Sequence, residues 1–156
     1  MLLNLWRQRA TSPDGAAEYA VLRDRITQLY IESELLRLTS QRARAAQRSG
    51  NPGPEGSVGK LAQAEIYKRI WECSLDVLGD DSLVYEAGYE LRRPSYEDRR
   101  DAAGLAKYHF LRSRASSIEG GTSEVMRNIL GERVLGLPGE PRTDKSLPWK
   151  DIPRGA

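Results

Sequence analysis

The densest chemistry in the chain lies between Ser116 and Arg142, in SSIEGGTSEVMRNILGERVLGLPGEPR. Glu119 supplies a carboxylate able to accept a proton. Gly120 and Gly121 reach backbone angles closed to other residues and let a ligand approach the main chain closely. Thr122 or Ser123 can cap the following helix by accepting bonds from its first free N–H groups. That helix start also offers unpaired donors and a positive dipole end to an anion or an electron-rich ring edge. Glu124 adds a second carboxylate in the first turn. By local physics alone, the plain alternative is a turn that starts a helix and binds nothing.

Other reactive side chains are few. Cys73 is the only cysteine, so neither a disulfide within the chain nor a cysteine-rich metal site is possible. Its setting, IWECSLDVL, reads as a small buried core position. His109 is the only histidine, and a Ser/His/Asp triad would have to use it. No G-x-S-x-G nucleophile turn exists to complete one. In AKYHFLRS it reads as a packed or surface histidine, and no metal site is expected.

Helices must position the junction. Over residues 18–47, Leu22, Ile26, Leu29, Ser33, Leu36 and Ser40 recur at steps of three and four, with Tyr30 and Leu35 widening the stripe. SGNPGPEGS breaks that helix. A second helix is expected over residues 57–78, with Ser57 as its N-cap, Gly79 as its stop and Lys60 on its charged face. Residues 79–100 have no steady period; they read as a long structured loop anchored by Leu83, Val84, Tyr85, Tyr89 and Tyr96. Further helices are expected over 102–113 and 123–135, with Gly136 and Pro138 ending the last. No strand-like alternation stands out. The expected fold is therefore all-α: an antiparallel helical bundle with a long loop between helices two and three. Residues 1–17 form an N-terminal tail whose apolar patch, Leu2 to Trp6, is expected to dock on the bundle or on sequence outside this chain. Residues 18–136 form the bundle domain and 137–156 an extended C-terminal tail anchored by Leu147 and Trp149.

Composition excludes several roles. Of the 156 residues, 39% are hydrophobic and 29% charged, which suits one soluble domain with its own core. With 24 basic residues against 22 acidic ones, interleaved, no one-sided basic patch for nucleic acid or a membrane surface is evident. No apolar run approaches the roughly 20 residues that span a bilayer, and the start lacks a secretory pattern. A cytoplasmic setting is expected.

The longer stretch IEGGTSEVMRNILGERVLGLPGEPR resembles the C-terminal helical domain of the FAD-dependent acyl-CoA dehydrogenases. The family pattern runs from an apolar residue or Tyr through Glu, Gly-Thr-Ser, an acid or amide, an apolar residue and often Gln to Arg. Gly121, Thr122, Ser123, Glu124, Val125, Arg127, Asn128, Ile129 and Arg133 fit it. LRDRITQLYIESELLRLTSQRARAAQ and GPEGSVGKLAQAEIYKRIWE look like two further bundle helices of the family, in the right order. The resemblance covers roughly residues 21–142.

The resemblance implies a domain that packs beside an N-terminal helical domain and a middle β-domain, the three together holding FAD and an acyl-CoA. A glutamate removes the α proton while hydride passes to the flavin. Carried over, Thr122, Ser123 and Glu124 are the flavin-contacting positions, and the Gly121 backbone lies near the thioester end of the substrate. At one position the chain departs from the pattern. The place of the base holds Gly120, and Glu119 stands one residue earlier, where Tyr is common. An offset of one residue in a tight turn redirects the side chain, and a misplacement of about 1 Å can cost about 100-fold in rate. No residue therefore occupies the base position. Glu119 remains as a candidate whose plain role is an acid paired with Arg112 or Arg114.

Some family members carry the base on an earlier helix of the domain, which would precede Met1. Others pair an active subunit with one that lacks a base, as in heteromeric enzymes acting on steroid side chains. The expectation is a C-terminal domain or shortened form of an acyl-CoA dehydrogenase of fatty-acid or steroid side-chain degradation, inactive alone. The alternative is a non-catalytic helical module that assembles with a separate dehydrogenase subunit. The implied partners are an acyl-CoA in the intact enzyme and either a homo-oligomer or another such subunit.

Overall fold

The computed structural model describes residues 1–10, 16–50, 53–84, 102–139 and 147–152. Among the described residues five α-helices follow one another: α1 (Leu2–Ala10), α2 (Ala16–Arg48), α3 (Glu55–Leu78), α4 (Ala102–Ser113) and α5 (Ser123–Arg133). Single 3₁₀ turns cover Gly79–Ser82, Arg114–Ser117 and Trp149–Asp151. No strand occurs among the described residues. None of their helices is long and apolar enough to cross a membrane.

The central element is α3, which packs against α1, α2, α4 and α5. Its Trp71, Cys73 and Val77 meet Leu2 and Leu5 of α1, Ile26 and Leu29 of α2, and Ala106 of α4 in one core. Each large aliphatic side chain buried there contributes about 1.5–3 kcal/mol relative to exposure. The N-terminal patch thus docks on the bundle, and it does so as a nine-residue helix. So short a helix is marginal in isolation, so the burial of Leu2 and Leu5 is what holds it.

Local chemistry explains most boundaries. The hydroxyls of Ser33 and Ser40 donate to the carbonyls of Leu29 and Leu36 at 2.7 and 2.9 Å, so α2 tolerates polar groups within its packed stripe. Gly79 ends α3 at φ 60, a left-handed angle that suits glycine. The start of α3 differs from expectation: it begins at Glu55, two residues before Ser57, after Pro54 at φ −73. Proline presets the helical φ, and the acid Glu55 suits the positive end of the helix while pairing with Arg42 of α2 at 3.2 Å.

Some expected anchors do not bury. Tyr30 and Leu35 are each 58% exposed, so they do not widen the packed stripe of α2. Leu83, Val84, Leu147 and Trp149 are also exposed. Tyr85, Tyr89 and Tyr96 lie outside the described residues.

Candidate functional site

The junction between the Arg114–Ser117 turn and α5 is held from three sides. Gly120 and Gly121 both adopt positive φ, 66° and 98°. A Cβ at Gly121 would run into Met126 Cε, whereas one at Gly120 would meet nothing within 4 Å. Thr122, extended at φ −66 and ψ 159, is the cap: its Oγ1 accepts from the Val125 N–H at 3.1 Å. From α3, the Lys60 ammonium donates to the Ser116 carbonyl at 3.0 Å and to the Gly121 carbonyl. One cation on the central helix therefore clamps both ends of the glycine turn. No local sequence pattern marks Lys60 as a site residue, because the bridge spans 61 positions.

Glu119 lines a cleft with Lys60, Gln63, Ala64, Tyr67 and Ser116. Its Oε2 accepts from the Arg112 guanidinium at 2.8 Å, with the two side chains 53% and 45% exposed. That bond, helped by the charges of Arg112 and Lys60, holds the Glu119 carboxyl below its usual range. A general base works best with a pKa near the operating pH, so this pairing moves Glu119 away from that role. Arg114 turns elsewhere: it pairs with Glu72 at 2.7 Å and lies 4.8 Å from the Phe110 ring centroid.

The three positions expected to contact a flavin, Thr122, Ser123 and Glu124, sit differently. Glu124 is exposed and pairs with Arg127 at 3.2 Å. Thr122 Oγ1 is engaged by the cap. Ser123 is 4% exposed, and its Oγ has no hydrogen-bond partner. A buried hydroxyl left unpaired costs roughly 1–3 kcal/mol. An acceptor or donor reaching it would relieve that cost. The residues thus fit an electron-rich ring edge at the start of α5.

The remaining reactive side chains are packed. His109 stacks on Trp71 with ring centroids 4.5 Å apart, and its Nδ1 lies 3.0 Å from the Tyr67 hydroxyl. Cys73 is fully buried, and burial pushes its thiol pKa up. Among the described residues, no cluster of three or more potential metal ligands forms.

An all-α bundle whose glycine-opened turn delivers Thr-Ser-Glu at the start of a helix defines the class. The family model for "Acyl-CoA dehydrogenase, C-terminal domain" matches residues 2–135, and the chain belongs to that family. It is 32% identical over 126 residues to acyl-CoA dehydrogenase IpdE1 of Mycolicibacterium smegmatis, a match covering 81% of this chain and 28% of the relative. To the IpdE1 of Mycobacterium tuberculosis it is 28% identical over 126 residues, covering 81% and 29%. A solved structure titled "Tcur3481-Tcur3483 steroid ACAD" shares the fold with a TM-score of 0.66 at 18% identity, over 88% of this chain and 34% of that one. The matched region thus spans under a third of the length of the curated relatives.

Proposed function

We propose that this chain forms the C-terminal helical wall of an acyl-CoA dehydrogenase, either as the domain itself or as a shortened form. The reaction is α,β-dehydrogenation of a fatty-acid or steroid side-chain acyl-CoA in the cytoplasm. The observation that carries the reading is the Gly120–Glu124 turn, built as a clamped and capped helix start inside a domain of this family. When bound, FAD supplies the hydride acceptor. The chain's own contribution is placement: Thr122, Ser123 and Glu124 face the flavin, and Gly121, lacking a side chain, lets the thioester approach the backbone. Gly120 stands in the base position and Glu119 is neutralised by Arg112, so the chain alone does not remove the α proton. With the other family domains supplied, a carboxylate from outside this chain takes the proton.

A second reading is favoured by that same vacant base position. In it, the chain is a non-catalytic helical module that assembles with a separate acyl-CoA dehydrogenase subunit. Affinity purification of the tagged chain from its own cells separates the two. Recovery of a distinct yellow flavoprotein subunit supports the module. Recovery of one longer flavin-containing chain that includes this sequence supports the domain. Turnover of an acyl-CoA by the purified 156-residue chain with FAD would sink both.

A further inference from the structure

α2 and α3 run antiparallel, as the pairs Arg25–Asp76 and Arg42–Glu55 near their two ends show. The first turns of α3 carry Gly56 and Gly59, which share one face of the helix. A Cβ at Gly56 would meet nothing within 4 Å, and one at Gly59 only Leu36 Cδ1 at 4.0 Å. Without side chains there, the two helices border an open groove of about 560 Å³. That lies within the roughly 300–1,000 Å³ of small-molecule sites. Leu36 and Ala43 supply its apolar wall on α2. Ser33 and Ser40 line it too, but their hydroxyl protons are spent on the Leu29 and Leu36 carbonyls. The middle of the groove therefore suits an apolar chain.

Its cations stand at two levels. Leu36 lies against Gly59, which sets Lys60 level with Arg37. Arg44 stands two turns further along α2, about 10 Å away. All three line the groove. Among the described residues Arg44 meets no carboxylate. Arg37 gives its Nε to Glu34 at 2.8 Å, which leaves its terminal N–H groups to donate. The Lys60 ammonium spends two of its three N–H bonds on the Ser116 and Gly121 carbonyls, so one remains. The Gln63 amide adds a further donor beside it. One acid lines the groove, Glu55, and it opposes an anion only weakly. One of its oxygens meets Arg42 at 3.2 Å and the other is buried beyond the reach of solvent.

We propose that this groove binds an extended dianion with an apolar middle, of the α,ω-dicarboxylate class. One carboxylate lies at Lys60 and Arg37, the other at Arg44, and the chain between them rests on Leu36, Ala43 and the two glycines. The proposal does not rest on flavin binding, so it can fail without the functional reading failing. Octanedioate, whose extended carboxylates stand about that far apart, is titrated into the full 156-residue chain at constant ionic strength and followed by amide NMR. The expected result is saturating one-to-one shifts centred on Gly56 and Gly59. Octanoate lacks the second charge and butanedioate the length, so each should bind roughly tenfold or more weakly. Arg44→Glu, at an exposed position, should weaken octanedioate by a similar factor. Gly56→Leu should block the groove while favouring the helix. No saturating shift at the two glycines overturns the proposal, as does octanoate or butanedioate binding as well as octanedioate. So does undiminished binding to either variant with its helix content, read by circular dichroism, unchanged.

Discussion

Gly120 and Gly121 share a left-handed backbone but not a neighbourhood, and the difference can be measured. At Gly120 a methyl group finds open space, so Gly120→Ala should cost only the angular strain, about 1–2 kcal/mol, and Gly120→Asn less. Gly121→Ala should cost more, chiefly because φ 98 lies farther from the left-handed helical well than φ 66, while the flexible tip of Met126 moves aside cheaply. Urea unfolding midpoints of the three variants check the order, and an equal loss for the two alanines would contradict it. Glu119 makes a second test at this scale. Because Arg112 lowers its folded pKa, the pairing stabilises the fold above the unfolded carboxylate range, and that contribution is lost as pH falls through the folded value. Arg112→Ala should return the Glu119 titration, followed by carboxyl NMR, to the ordinary range. A titration that does not move would mean the bond is absent in solution. The effect on stability should be small, since both side chains are half exposed.

At the scale of elements, the glycine turn depends on a lysine from another helix. Lys60→Met should leave the Ser116 and Gly121 carbonyls without their cation and speed amide exchange across residues 118–123, with Lys60→Arg intermediate. Unchanged exchange would show that the Thr122 cap suffices alone. The attachment of α1 is a parallel case: Leu5→Ala should lower stability by about 2–3 kcal/mol and expose Trp6, seen as a red-shifted fluorescence. Much of this organisation was legible in the sequence, because glycine and proline punctuate it. Gly79 stops α3, Gly120 and Gly121 open the turn, and Thr122 was one of two named caps. What escaped has physical causes. Nine residues of α1 are too few for a period to stand out. Pro54 starts α3 through its fixed φ rather than through a capping side chain. Leu35 resembled part of the packed stripe, yet it sits at the open edge of the groove between α2 and α3, beside Val58, Ala62 and Ile66, and stays largely exposed. The Lys60 clamp is a tertiary contact that no window of sequence contains.

For the whole molecule, the family was legible from motif order, and the family match over residues 2–135 bears that out. The described helices build one frame, with α3 in contact with each of the others, and that frame presents a helix start with a buried, unpartnered Ser123 hydroxyl. In the functional reading, that frame offers one face to a flavin and requires other walls to enclose it. The most direct test is the visible absorption spectrum of the purified chain, recorded before and after addition of excess FAD and gel filtration. The expected result is a colourless protein that retains no flavin band, because the turn alone supplies too few contacts. A retained flavin band, with acyl-CoA turnover that Glu119→Gln abolishes, would contradict the claim that this chain is one wall of a site without its own base.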